Sequence, residues 1–560
     1  MAGYIATLFL QLNPAVPLDP SATLPLVMTM MLSYGIHAAV VFYGVIVIWQ
    51  LLGADVLSPG WVSLRVLVWL AGVASAVAAA LMWLNLRELH ASLDPSAARR
   101  MAEGAAAVSV ASVVFVVMAV VRFSVGRKPG WFTAAIFACT IALSFAMPLW
   151  LRGHGTAVHG ASHGQSGPSF EAVSSAGRVI VLAVDGATLD YISPAAADGR
   201  LPNFGRLLDG GAVMHLATLR PTQPVPVWTA VATAKLPFKN GVRSAARYQF
   251  ARNGAFYDLL PDYCFAHALV YFGLVSERPL TSASLAARPV WNILGGSGIR
   301  SIIVRWPLTY PAQPIRGVVV TDHLHLTPDS PLPIDDPQMT YPSDVANTLR
   351  LRPDPPVAAA ATLVGPATTA IGSLAADRLY SDAFDAVSAQ SDARLLALRY
   401  QSLDVAGHYY LRQAMPRLFG DVSDEERRQY GRVLDQFYRY LDGEVGRAIE
   451  HLGPDDLLLV VSGFGMEPLT VPKRLVDRLL STGELSGTHE RAPDGFLLAF
   501  GHPVRAGHFG RASVVDVVPT ILYFFGLPIG RDMDGLARTD LFSRDFTEER
   551  PVTFIPSYEN

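Results

Sequence analysis

Apolar positions fall along the chain in two different rhythms. Up to residue 151 they form long continuous runs, Ala22–Leu52, Trp61–Leu86, Gly104–Val121 and Trp131–Leu151, joined by short polar connectors. Each run meets the roughly 18–25 residues that a helix needs to cross the hydrocarbon of a bilayer. Four in succession predict a membrane module rather than buried helices of a soluble fold. A cleavable signal peptide fits poorly, because Met1–Leu12 has no basic start and the apolar runs continue beyond it. Trp61, Trp83, Trp131 and Trp150 fall near the ends of the runs, where interfacial anchors belong. His37 and Arg65 lie inside runs, Arg65 close enough to an end to snorkel.

Beyond residue 177 the apolar runs shorten to strand length. Arg178–Val184 (RVIVLAV) and Leu457–Ser462 (LLLVVS) read as buried parallel strands, and Leu201–Gly211 as a helix stopped by glycines. The Pro- and Ala-rich stretch from Leu326 to about Ala376 reads as a cap or insertion rather than sheet. The expected class is therefore α/β with a mostly parallel central sheet, preceded by a four-helix transmembrane module. The expected division is a membrane module over 1–152, a Gly/Ser/His-rich linker over 153–177, a soluble domain over 178–545 with a cap or insertion at about 326–395, and a tail over 546–560.

Charge sharpens this division. The first 150 residues hold 12 charged side chains, about 8%, against 79 in the remaining 410, about 19%. A net charge of −3 over 560 residues excludes the strongly basic face that nucleic-acid binding needs, so no nucleic-acid partner is expected. Two cysteines, Cys139 in an apolar run and Cys264 far from it, exclude a disulfide scaffold and a Cys-rich zinc module. The third connector carries Arg122, Arg127 and Lys128 without an acid, which places it in the cytoplasm and the soluble region outside. Small residues in Ala71–Ala80 and Gly104–Ala111 permit close helix packing, within this chain or in an assembly with other proteins.

Three polar patterns stand out as candidate chemistry. Asp185 follows the first strand, at the end where open α/β sheets bind ligands. Asp404 and His408, four apart in LDVAGHYY, join a carboxylate and an imidazole in a mixture that suits zinc. His489 stands in the loop GTHERAPDG. His154, His159 and His163 read as part of a flexible linker rather than a metal site.

Taken in order, VDG, LPNFGRLLDGGA, PTQPVPVWTAVATAKLPFKNGV, RWPLTYPAQPIRG, LDVAGHYY, LVVSGFGM, GTHERAPDG and ASVVDVVPTILYFFGLPIGRDMDG resemble the alkaline phosphatase superfamily, in its type I phosphodiesterase/nucleotide pyrophosphatase branch. The resemblance runs from Arg178 to Leu541 and implies an alkaline-phosphatase-like sandwich around the central sheet, with two zinc-like ions in active members. It implies one ion on Asp404, His408 and His489, all present. The other ion requires the strand-end acid, here Asp185, a Ser or Thr nucleophile, and the Asp and His of an S-D-H-G turn. Pro224 occupies the nucleophile position, while Gly463 and Phe464 occupy the two ligand positions of the turn. Proline has neither a hydroxyl to attack phosphorus nor an N–H for an oxyanion. Thr222 and Thr229 flank the gap but are displaced from it.

The expectation is a membrane-anchored, extracytoplasmic pseudoenzyme with one zinc or similar ion, acting in binding or as a scaffold subunit of an envelope complex. Two alternatives remain open at this point. One is a single-metal phosphoester hydrolase, with Asp185 as base or orienting group; the other is a membrane assembly platform capped by the soluble domain. The bilayer is the one partner every reading shares.

Overall fold

The structure, a computed structural model, describes residues 1–51, 64–123, 131–152, 170, 177–251, 254–324, 337–350, 368–389, 391–420, 422–470 and 486–559. Trp61, Arg127, Lys128 and the three linker histidines lie outside the described residues, as does the side chain of Arg65. The chain divides into two compact bodies, Met1–Val158 with Arg243–Pro279, and His159–Val242 with Leu280–Asn560.

Among the described residues of the first body, four helical stretches are long and apolar enough to cross a membrane: Pro20–Val41, Leu67–Glu88, Pro95–Val121 and Ala134–Arg152. A fifth, shorter helix, Ala2–Leu12, packs among them and was not legible as an element from its short apolar run. Small residues act inside this bundle: Gly72 lies against Phe115 and Val116, and Gly104 against Gln11 and Pro148. Arg152, 2% exposed at the end of the last helix, donates to the carbonyls of Leu10 (2.5 Å) and Asn13 (2.6 Å) and closes the C-terminal end of Ala2–Leu12.

Residues 243–279 group with the helices of the first body. They form an antiparallel three-stranded sheet, Phe256–Tyr257, Ala246–Gln249 and Ser276–Pro279 in spatial order. Tyr248, Tyr257 and Leu269 share a core with Ile5, Phe9, Leu26 and Met30. Two buried amides substitute for missing backbone partners. The Asn13 oxygen accepts from the N–H of Asp258 (2.8 Å) and Leu259 (2.9 Å), and its nitrogen donates to Leu259 O (2.8 Å). Asn85 bonds both backbone groups of Asp262, at 2.7 Å and 3.0 Å.

The second body is built on a ten-stranded sheet. In chain order its strands are β1 Val179–Val184, β2 Ala212–Ala217, β3 Ser301–Val304, β4 Gly317–Val320, β5 Thr340–Tyr341, β6 Leu395–Tyr400, β7 Leu457–Phe464, β8 Asp494–Phe500, β9 Gly507–His508 and β10 Ala512–Ser513. The spatial order is β9-β2-β8-β7-β1-β6-β3-β4-β5, with β10 also on β2. β1 pairs in parallel with β6 and β7, and β6 in parallel with β3, while β8 runs antiparallel to both neighbours. All residues of β1, β6 and β7 are buried, which explains their unbroken apolar runs. The chain leaves β1 toward β2 on one side and returns to β3 and β6 on the other, so the C-terminal ends of β1, β6 and β7 form the crevice where ligands collect.

The described parts of the supposed cap belong to the sheet layer: Thr340–Tyr341 is an edge strand, and the helix Thr368–Ser388 puts Leu374, Tyr380 and Ala383 into the core beneath β6. The tail is also integrated, with Phe554–Ile555 paired to Ile529–Gly530 and Glu559 bonded to Lys235 at 2.7 Å.

Candidate metal centre

The helix Ser402–Ala414 leaves the end of β6 and carries Asp404 in its first turn and His408 one turn later, on the same face. A buried ion pair fixes its start. The Asp377 carboxylate accepts from the N–H groups of Gln401 and Ser402, both at 3.1 Å, and is itself paired with Arg305, whose guanidinium lies 4.6 Å over the Tyr380 ring. His489 arrives from the far side, just after the short strand Gly487–Thr488.

One ligand atom from each of Asp404, His408 and His489 lies within 4.8 Å of the other two, the one such group of His, Cys, Asp and Glu among the described residues. Each ring is held by a backbone carbonyl: His408 Nδ1 to Gly487 O at 2.8 Å, and His489 Nδ1 to Thr222 O at 3.0 Å. With Nδ1–H donating, both Nε2 lone pairs are left for a cation, which is the usual outer-shell arrangement of metal-binding histidines. Asp404 Oδ1 is buried without a hydrogen-bond partner, while Oδ2 lies 3.6 Å from His408 Nε2. Burial pushes the His408 imidazole down, but its hydrogen bond and charge interaction with Asp404 outweigh this and leave it above its ordinary value. An orphaned buried oxygen and two preset imidazole nitrogens fit one divalent ion.

The neighbouring half of the crevice does not fit a second. Asp185, 0% exposed, accepts from Trp228 Nε1 at 2.6 Å, from Arg399 Nε at 3.1 Å and from Arg399 Nη2. Both of its oxygens are therefore committed to protein donors. Burial pushes the Asp185 carboxyl up even with Arg399 beside it, while Asp185 outweighs burial at Arg399 and holds the guanidinium above its ordinary value; the two-nitrogen contact with both carboxylate oxygens is the geometry of an ion pair. Gly186 turns the chain away in the left-handed region (φ +70°), and a Cβ there would come within 3.0 Å of Asp404 Cα. Pro224 is the first residue of the helix Pro224–Thr233 that carries Trp228. A side chain at Gly463 would meet Val227 Cγ1 at 2.6 Å, so the space for an acid is filled. Phe464 is fully buried, with its ring centre 5.0 Å from that of His489. The hydroxyls of Thr222 and Thr229 are spent on the carbonyls of Leu219 and Val225, each at 2.8 Å.

The structure thus gathers Asp404, His408 and His489, with Asp185 close by but engaged elsewhere. Sequence reasoning missed Arg399, Arg305 and Asp377. Arg399 did carry a signal, since an arginine inside the strand run LLALRY demands a buried acid.

Residues 179–508 match the family described as type I phosphodiesterase / nucleotide pyrophosphatase. Among solved structures, murine ectonucleotide pyrophosphatase / phosphodiesterase 5, in an inactive form complexed with AMP, is similar at 13% identity and a TM-score of 0.38, over 66% of this chain and 100% of that one. No curated protein matches the chain.

Proposed function

Since the chain belongs to the type I phosphodiesterase / nucleotide pyrophosphatase family, we propose that it is a pseudoenzyme of that family, anchored in a membrane and keeping one divalent-metal site. Asp404, His408 and His489 hold the ion, with zinc the best match to two imidazoles and a carboxylate. The carrying observation is the bidentate Arg399–Asp185 pair, which puts a fixed guanidinium on the acid that a second cation would need. Pro224, Gly463 and Phe464 supply no nucleophile and no ligand there. A bound ion would act as a Lewis acid on an anionic ligand. The protein's own groups orient the two imidazoles through Gly487 and Thr222 and fix the helix start through Asp377. Its role is to bind, or to serve as a scaffold subunit of an envelope complex, with the soluble body outside the cytoplasm.

Metal content and hydrolysis of bis(p-nitrophenyl) phosphate by the detergent-purified chain, with added zinc or manganese at several pH values, test this reading. It expects at most one ion per chain, lost in His489→Ala, and turnover at background. Turnover abolished by Asp404→Ala would instead establish the single-metal hydrolase, for which the orphaned Asp404 oxygen is the favouring observation. A reporter fused after Asn560 reads the orientation, and cytoplasmic exposure would reverse it.

A further inference from the structure

Within residues 243–279, five large side chains stand exposed in twelve positions: Tyr263 (42%), Phe265 (79%), Tyr271 (61%), Phe272 (65%) and Leu274 (37%). An apolar cluster of this kind marks an interaction surface. Tyr263 and Phe265 hold the left-handed backbone region (φ 64° and 58°), which costs a bulky residue on the order of 1–2 kcal/mol. Between and behind them, Cys264, Ala266, Leu269 and Val275 are buried in the core shared with Leu26 and Met30. The segment is thus amphipathic, with its aromatic side turned away from the protein.

Its location identifies what covers that side. Asn85 and Glu88 lie in the last turn of the helix Leu64–Glu88; Asn85 bonds Asp262, and Tyr263 donates to Glu88 Oε1 at 3.0 Å. The Tyr34 hydroxyl donates to the Cys264 carbonyl. Tyr34 belongs to a continuous helical run of 32 residues from Pro20 to Leu51. At 1.5 Å per residue its α-helical residues alone are about 40 Å long against about 30 Å of hydrocarbon, so part of the run extends beyond the hydrocarbon. Leu26 and Met30 are covered by the inserted segment, whereas Leu24, Met28, Met31, Ile36, Val40 and Val41 along the same run are 52–66% exposed, an apolar face that continues on both sides of Tyr34. Trp83 and Trp150, 44% and 77% exposed, mark the same end of their own helices, since Asn85 and Arg152 beside them tie to Asp262 and Asn13.

We propose that Tyr263–Leu274 is a membrane-interface strap, its aromatic side chains seated in the headgroup and upper acyl layer of the bilayer that the four helices cross. The strap continues the lipid-facing surface of those helices, and Tyr, with an apolar ring and a polar tip, suits that layer. The inference rests on the helices spanning the membrane, so its test carries a separate control for that.

Nitroxide labels are placed singly at Phe265→Cys and Phe272→Cys in the full chain carrying Cys139→Ser, reconstituted into nanodiscs of phosphatidylcholine and phosphatidylglycerol. Cys264 stays unlabelled, because it is buried and burial pushes its thiol up to about 11. Val117→Cys serves as the deep reference and Arg544→Cys as the aqueous one. Collision rates with oxygen and with a water-soluble nickel complex should place 265 and 272 between the references, with nickel access several-fold below position 544. Nickel access equal to position 544, with Val117 deep, overturns the strap. Shielding of 265 and 272 from both reagents overturns it in favour of a protein partner. An aqueous Val117 overturns the membrane reading on which the strap rests.

Discussion

Replacing Arg399 by Met removes the guanidinium from Asp185 and leaves the rest of the buried crevice in place. Asp185 then retains one donor, Trp228 Nε1, in a site with 0% exposure. An uncompensated buried carboxylate escapes by taking a proton. Moving from an ordinary pKa near 4 to neutrality at pH 7 costs about 1.4 kcal/mol per unit, so about 4 kcal/mol is the upper bound, since burial already pushes Asp185 up in the parent chain. That agrees with the roughly 3–5 kcal/mol lost when one member of a buried ion pair is deleted. Asp185→Asn alone strands the guanidinium and should cost a similar amount, whereas Arg399→Met with Asp185→Asn should cost far less than the sum. The variant's folded Asp185 pKa lies above its unfolded value. Its penalty is therefore small below about pH 4 and grows as pH rises, by up to about 1.4 kcal/mol per unit. Guanidinium denaturation of the detergent-solubilised chain, followed by tryptophan fluorescence with Trp228 adjoining the pair, measures all three variants. A cost for Arg399→Met below about 1 kcal/mol, or additive single variants, would refute a buried charge pair at this position.

Gly463→Asp with Phe464→His, which recreates the ligand types of a second metal site, should destabilise the chain by about 1–3 kcal/mol through overpacking and bind no second ion; adding Val227→Ala should recover much of the loss. Asp377→Ala should weaken zinc binding about 10–100-fold by freeing the start of the helix that carries Asp404 and His408, read by competition with a zinc-chelating dye. Asp456 accepts from Arg178 at 2.6 Å and from two backbone N–H groups, and although burial opposes this, the donors hold its carboxyl below the ordinary range. Its stabilisation is complete above the unfolded pKa near 4 and disappears as pH falls through the lower folded value, so acid titration of Asp456→Asn should show a shallower loss than the parent chain.

The sequence was most legible where a single physical demand fixed the pattern. The buried runs RVIVLAV and LLLVVS became β1 and β7 because strands covered on both faces need no polar alternation. Asp404 and His408 were readable because four-residue spacing puts both on one helix face; His489 stood out in its loop, and its grouping with them followed from the resemblance. What escaped depends on pairings distant in sequence. Arg399 meets Asp185 across 214 positions, and Arg305 meets Asp377 across 72, and nothing local to either arginine names its partner. The Pro- and Ala-rich composition from Leu326 to about Ala376 reads as a cap, while Leu374 and Tyr380 on a 21-residue helix pack into the core beneath the sheet, a contact that composition does not encode. Residues 243–279 carry ordinary strand and turn signals, and what ties them to the helices is distant in sequence: the buried amides of Asn13 and Asn85, the Tyr34 hydroxyl on Cys264 O, and the shared apolar core.

That allegiance of residues 243–279 governs how the chain can be cut. Backbone passes between the two bodies three times, at 158/159, 242/243 and 279/280. A protease acting in the glycine-rich stretch after residue 152 therefore severs one passage and sheds nothing, because the C-terminal fragment still carries the segment buried against Ile5, Phe9, Leu26 and Met30. A truncated chain beginning at residue 178, the boundary that composition invites, would bare Tyr248, Tyr257, Leu260, Leu269 and Val275 to water and aggregate for want of the helices that cover them. Solubilising the second body without the apolar helices requires excising 243–279 and joining Val242 to Leu280.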